Sequence, residues 1–284
     1  MTFRPRRSVL YMPGANDRAL EKAKSLEADA LILDLEDSVA PDAKAQARER
    51  VASAVRGGGY GSRELVIRVN GFDTPWGADD VDMAIEAAPH AILMPKVSIA
   101  ADVQRAVTAM EHAAPHIRLW VMMETPLAIL NAKEIAGADA RLACLVLGTN
   151  DLVKETRARI TGGRFAFVPM LSLCVLAARA HGLDVIDGVY NDFRDETGFR
   201  AECEQGRDLG MDGKTLIHPG QIAACNEVFS PAAEEVAWSR RIIAAFRMPE
   251  NSAKGVITID GRMVERLHLE MAERVVAIAG AAPP

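Results

Sequence analysis

No apolar run in this 284-residue chain is long enough to cross a bilayer, so the sequence offers no membrane segment. An excess of positive charge is missing too. The formal charge of −6 argues against general nucleic-acid binding. There is no CxxC pair. The four cysteines (Cys144, Cys174, Cys203 and Cys225) sit in apolar or helical contexts and read as reduced, mostly buried thiols of a cytoplasmic protein. The N-terminal stretch is basic, but a short strand-like run follows it where a signal peptide would have its apolar core. No low-complexity segment occurs, and no repeat beyond a strand–helix period. These absences leave a soluble, cytoplasmic protein without membrane or nucleic-acid partners as the expectation.

What is present is a rhythm. Eight short apolar runs recur at spacings of roughly 25 to 35 residues, the period of βα units. They are Ser8–Met12, Ala30–Leu35, Leu65–Val69, Ala91–Pro95, Leu119–Met123, Leu142–Leu147, Leu183–Asp187 and Lys214–His218. Helical patterns lie between most of them, with Asn16-Asp17 and Pro41-Asp42 as openings and Gly57-Gly58-Gly59 as a stop. Eight such units predict a (β/α)₈ TIM barrel over residues 1–229. Residues 230–284 fall outside the alternation. They read as a C-terminal extension of two helices around a small hairpin, turning at Asp260-Gly261, that serves as a lid or subunit arm.

In such a barrel the chemistry sits at the carboxyl ends of the strands. Here those ends carry Glu36 and Asp37, Arg68, Lys96, Glu124, Asn150 and Asp151, and His218. Glu124 and Asp151 end neighbouring strands and are placed to share Mg²⁺, with Mn²⁺ as a substitute, because a hard cation takes a few carboxylates and keeps several waters. A 2-oxo or 2-hydroxy acid would complete the coordination. Arg68 offers a planar fork to a carboxylate or enolate oxygen. Glu36 and Asp37 are expected to orient metal-bound water or Arg68, or for one of them to pair with Lys96. The amides of Gly148, Thr149 and Asn150 are candidates for the substrate carboxylate. His218 is open between a structural role and an acid or base.

Seven stretches resemble one superfamily, the HpcH/HpaI aldolases, in its citrate lyase β-subunit and malyl-CoA lyase branch. They are Arg7-Ser-Val-Leu-Tyr-Met-Pro-Gly14, Leu33-Asp-Leu-Glu-Asp-Ser-Val39, Ile67-Arg-Val-Asn70, Met94-Pro-Lys96, Met123-Glu-Thr125, Leu147-Gly-Thr-Asn-Asp-Leu152 and Gly213-Lys-Thr-Leu-Ile-His-Pro219. The stretch from Leu33 to Val39 resembles the CoA-ester branch, since pyruvate aldolases of the superfamily tend to carry a His-containing loop there. The resemblance implies Glu124 and Asp151 as Mg²⁺ ligands and Arg68 as a substrate contact. It also implies an acid supplied by the C-terminal segment of a neighbouring subunit. Here that acid is Glu265, in Gly261-Arg-Met-Val-Glu265, where the lyases usually carry Asp. The Val-Glu-x-Leu-His variant resembles a subgroup that includes (3S)-malyl-CoA thioesterase.

The expected activity is a Mg²⁺-dependent carbon–carbon lyase, with Arg68, Glu265, Glu36 and Asp37 as its catalytic groups. It would cleave a malyl-CoA-type thioester to acetyl-CoA (or propionyl-CoA) and glyoxylate. The alternative is a thioesterase releasing malate and CoA. Further alternatives are an aldolase of free 2-oxo acids, and a citrate lyase β subunit working with an acyl carrier. CoA, as part of the substrate, is polyanionic, so Arg4, Arg6 and Arg7 are candidate phosphate contacts. The resemblance further implies a homo-oligomer, trimer or hexamer.

Overall fold

The structure, a computed structural model, describes residues 4–281. Eight parallel strands close on themselves in sequence order: β1 (Ser8–Pro13), β2 (Ala30–Asp34), β3 (Glu64–Arg68), β4 (Ala91–Met94), β5 (Arg118–Met123), β6 (Leu142–Leu147), β7 (Asp184–Asp187) and β8 (Gly213–Leu216). Closure is made by β8 against β1, with Val9 opposite Thr215. The architecture is the expected (β/α)₈ barrel, and every strand starts or ends within two residues of its apolar run.

Each strand is buried on both faces, inside by its neighbours and outside by helices, which is why the strands read as unbroken apolar runs without alternation. The inward set is Val9, Ala30, Ile32, Val66, Ala91, Leu93, Trp120, Met122, Cys144, Val146 and Ile186, with Tyr11 packed against it. These residues recur with period two, so the same inward row continues to Asp34 in β2, Arg68 in β3 and Glu124 after β5. The barrel core is therefore apolar in the middle and charged toward its carboxyl end.

The outer layer consists of α1 (Asp17–Ala23), α2 (Lys44–Gly57), α3 (Gly77–Ala87), α4 (Ala100–Ala109), α5 (Pro126–Leu130), α6 (Ala132–Ala136), α7 (Thr149–Thr156), α8 (Val168–Ala180), α9 (Glu196–Asp208) and α10 (Ile222–Val228). Asn16 caps α1 by accepting from the Ala19 amide at 3.1 Å, and Thr125 caps α5 in the same way from Ala128 at 3.0 Å. Gly58 and Gly59 stop α2 with φ of +64° and +88°. The segment from Pro126 to Ala136 carries two short helices, α5 and α6, that meet at Asn131, and α7 starts directly after β6, behind Gly148.

The chain divides into two compact units, Arg6–Asn226, which is the barrel, and a second that begins at Glu227. The second unit contains α11 (Ala233–Arg247), the antiparallel pair β9 (Val256–Ile259) and β10 (Arg262–Glu265), and α12 (Arg266–Ala281). Its own small core is Ile242, Phe246, Ile257, Val264 and Ala272. Asp260 and Gly261 turn the hairpin with φ of +50° and +77°, the pair of left-handed residues that a two-residue I′ turn needs. Glu265 ends β10 half-buried, and its backbone N–H donates to His268 Nδ1 at 2.9 Å. That contact ties Glu265 to the first turn of α12.

Candidate active site

A cavity of about 310 Å³ opens at the carboxyl end of the barrel, its wall formed by Tyr11, Asp34, Arg68, Glu124, Gly148 and Asp151 among others. Arg68 is its buried cation. Its Nε and Nη2 donate to the two oxygens of Asp34 at 2.6 and 2.8 Å, a forked pair. Nη1 lies 2.7 Å from Glu36 Oε2, an ion contact without hydrogen-bond alignment, and donates to Asp37 at 3.3 Å. The fork expected to meet substrate is thus occupied by Asp34. What Arg68 still offers is the remaining N–H of Nη2 and the loosely held Nη1 edge. Asp34 stood in the sequence motif without a role. Its partner became visible only once period two placed both residues inside the barrel.

The turn that carries Glu36 and Asp37 is held from behind by Lys44. This buried ammonium donates to the carbonyls of Leu35 and Glu36 and to Asn70 Oδ1, at 2.7 to 2.8 Å. Asn70 in turn donates to Leu35 O and to Asp80, which Arg48 also holds. The two chain segments that meet at Arg68 are therefore clamped to each other. The sequence reading missed Lys44, although its place at the start of the helix after the Asp34–Asp37 turn was a signal.

Across the cavity, Glu124 has no exposed surface. Its Oε1 accepts from the Lys96 backbone N–H at 2.7 Å, an amide turned inward because Lys96 adopts φ of +56°. Such a conformation costs of order 1–3 kcal/mol for a residue with a Cβ and persists where the surroundings enforce it. Lys96 Nζ lies 3.3 Å from Glu124 and 2.8 Å from Asp151, which corrects the expected pairing of Lys96 with Glu36 or Asp37. Glu124 Oε2 is buried without any hydrogen bond. Gly148 must be glycine here, since a Cβ would stand 2.4 Å from Glu124 Cβ and 2.8 Å from its Oε2.

The backbone amides expected for substrate divide. Gly148 N–H donates to the Met123 carbonyl at 3.1 Å, which removes it from the candidate set. Thr149 and Asn150 occupy the first turn of α7, where amides have no acceptor within the helix and the helix dipole favours an anion. Thr149 Oγ1 is buried without a partner. The Asn150 side chain exchanges hydrogen bonds with Asn191 at 2.7 and 3.3 Å.

Burial pushes the Glu36 carboxyl up to about 8, helped by Glu124 and Asp37 and opposed by Arg68 and Lys96. Burial raises Glu124 as well. Asp34 is desolvated too, but Arg68 and the donors around it outweigh burial and hold its carboxyl below the usual range. Five carboxylates (Asp34, Glu36, Asp37, Glu124 and Asp151) thus share the cations Arg68 and Lys96. Among the described residues no group of three or more acid, His or Cys side chains converges as a metal cage. The residues present nevertheless fit a hard dication: two hard oxygen donors, one of them with an orphaned buried oxygen, inside an acid excess. Such an ion keeps waters and takes further ligands from its substrate.

Other expected residues lie elsewhere. Arg6 and Arg7 precede β1 at the amino end of the barrel. Arg6 forks onto Glu64 at 2.7 and 2.8 Å and also pairs with Asp184, and Arg7 grips Asp29 at 2.8 Å. This corrects their assignment to CoA phosphates, because active sites open at the other end and their guanidinium groups are already engaged. Arg4 lies half-buried two residues before Arg6. His218 is exposed, accepts from the Gly220 amide at 3.1 Å and stacks on Phe193 at 4.8 Å, a structural cap.

A family model for HpcH/HpaI aldolase/citrate lyase matches residues 7–219. The chain belongs to this family. Within it, the chain is 52% identical over 277 residues to a (3S)-malyl-CoA thioesterase of Cereibacter sphaeroides, covering 98% of this chain and 95% of the relative. It is 37% identical over 299 residues to an L-malyl-CoA/β-methylmalyl-CoA lyase of the same species, covering 96% and 94%. Among solved structures, protein CitE of Mycobacterium tuberculosis in complex with magnesium, acetoacetate and coenzyme A superimposes with a TM-score of 0.75. It is 29% identical, covering 97% of this chain and 98% of that one. The HpcH/HpaI match ends at Pro219, whereas both curated relatives align through the second unit as well.

Proposed function

We propose that the chain is a Mg²⁺-dependent hydrolase of a (3S)-malyl-CoA-type thioester, adding water to the thioester and releasing malate and CoA. The observation that carries this reading is the 52% identity with a thioesterase of that specificity over 98% of the chain, against 37% for the lyase. Hydrolysis therefore replaces carbon–carbon cleavage as the first reading. The lyase stays second, favoured by a relative that also aligns over nearly the whole chain.

The cavity supports either reaction on an anionic acyl group. Glu124 and Asp151 would hold Mg²⁺, which when bound supplies positive charge that polarises the acyl oxygens. The first-turn amides of Thr149 and Asn150 receive the acyl carboxylate, where the dipole of α7 adds to their donor strength. Arg68, kept charged by Asp34, stabilises oxyanion charge through its Nη edge. Glu36 and Asp37 hold that edge in place. Glu265, contributed by a neighbouring copy in a homotrimer or homohexamer, takes the proton of the attacking water as CoA leaves as its thiolate.

The test is incubation with malyl-CoA and Mg²⁺ while free thiol, malate and glyoxylate are followed separately, beside Glu265→Ala and Asp151→Asn. Thiol and malate without glyoxylate is the expected result, with both variants reduced at least about a hundredfold. Glyoxylate without free thiol makes the enzyme a lyase. Neither product removes malyl-CoA as substrate and turns attention to free 2-oxo acids and to a carrier-bound acyl group.

A further inference from the structure

Tyr11 is the second inward residue of β1, and its phenol reaches the wall of the cavity. The Arg68 guanidinium lies over its ring, 4.8 Å from the centroid, so the ring is fixed by the same cation that Asp34 holds. Its hydroxyl, however, meets only Met122 Sδ among the described residues, at 3.6 Å. A thioether is a weak acceptor. Polar groups in such surroundings are normally matched by a strong partner, and a poorly matched one calls for an explanation.

The surroundings also keep the group a donor. Burial pushes the phenol up out of its ordinary range, Arg68 works against this, and Asp34, Glu124 and Glu36 reinforce it. The hydroxyl therefore stays protonated beside carboxylates that cannot themselves donate when ionised. It lines the same cavity as Arg68, Glu124, Gly148 and Thr149.

We propose that Tyr11 is a substrate contact whose hydroxyl leaves Met122 and donates a hydrogen bond to a carboxylate or carbonyl oxygen of the acyl group in the cavity. This deepens the reading of the cavity as an acyl-acid site and rests on it. The thioether serves as a weak acceptor from which the O–H is readily drawn to a stronger one. Structural duty falls to the ring, and recognition to the hydroxyl.

Tyr11→Phe removes the hydroxyl and keeps the ring, which separates the two. Wild type and variant are melted thermally and titrated calorimetrically with malate, and separately with pyruvate, in Mg²⁺. They are then compared in malyl-CoA turnover. The expected result is an unchanged or slightly higher melting temperature with about tenfold weaker malate binding and a similar fall in kcat/KM. Malate binding within twofold of wild type would overturn the assignment, as would a melting temperature lowered enough to show that the hydroxyl holds the fold. A wild type that binds malate through the Tyr11 hydroxyl yet leaves malyl-CoA intact keeps the contact and sinks the hydrolase. A wild type that binds neither acid overturns both.

Discussion

The two ends of one barrel carry buried charge in opposite ways. At the amino end, Arg6 is closed off by Glu64 and Asp184 and Arg7 by Asp29, with short forked contacts. At the carboxyl end, five carboxylates share Arg68 and Lys96, and Glu36 Oε2, Glu124 Oε2 and Thr149 Oγ1 are buried without hydrogen bonds. Toward the amino end the Trp120 indole N–H, which lies beneath Arg6, is also buried without a hydrogen bond. Charge that is matched holds a fold together. Charge in excess, with atoms left unmatched around a cavity, is stability given up where a ligand makes the missing contacts.

A crossed pair of variants puts the largest effects on this contrast. Glu124→Gln removes a buried acid and keeps its shape. Turnover is expected to fall about a thousandfold, and the stabilisation of the fold by added Mg²⁺ to disappear, with the melting temperature in EDTA unchanged or higher. Arg6→Met leaves Glu64 buried without its partner, and should destabilise by about 3 kcal/mol or more while turnover per folded molecule stays within about twofold. Thermal melts with and without Mg²⁺, beside initial rates, read both. Loss of turnover in Arg6→Met without loss of stability would show that the amino end takes part in function after all.

A smaller effect separates matched from unmatched carboxyl groups by pH. The Glu36 carboxyl is pushed up to about 8 in the fold, against an ordinary value near 4.3 in the unfolded chain. Below that ordinary value both states are protonated and the group contributes nothing. As pH rises between the two values the unfolded state loses its proton first, so Glu36 costs stability increasingly until about 8. In EDTA, wild type should therefore lose several degrees relative to Glu36→Gln between pH 5 and 8. Asp187, held low by Lys214 and Arg164 although burial opposes them, behaves in the opposite sense. Its contribution is present above about 4 and is lost as pH falls through its depressed value. Parallel pH curves for wild type and Glu36→Gln would mean that Glu36 ionises normally.

The sequence made the architecture legible because strand-length apolar runs at a βα period have few other solutions, and the strand-end polar residues followed from the barrel itself. Partners were less legible. A strand buried on both faces shows no alternation, so nothing marked Asp34 and Arg68 as sharing the interior, or Tyr11 as facing the same cavity. Arg6 and Arg7 resembled free basic residues because Glu64 and Asp184 stand far from them along the chain. Thr149-Asn150-Asp151 reads as loop chemistry, yet Ser, Thr, Asn and Asp also open helices, and here they open α7. Lys96 in a left-handed conformation could not be foreseen, since residues with a Cβ seldom adopt it.

The smallest expected effect tests whether depth, and not charge alone, organises the carboxyl end. Asp37 and Asp34 contact the same guanidinium, but the Asp37 side chain is 66% exposed and 3.3 Å away, whereas Asp34 is buried in a fork at 2.6 and 2.8 Å. An exposed ion pair contributes about 0–1 kcal/mol, because water screens it and the side chain gives up freedom to hold one position. Asp37→Asn should therefore shift stability by less than about 1 kcal/mol and change kcat/KM by a few-fold at most. Denaturant melts and steady-state rates on malyl-CoA measure both. A fall in turnover approaching that of Glu124→Gln would place the Asp37 carboxylate on the substrate itself, and the functional boundary of the cavity would then lie at its exposed rim.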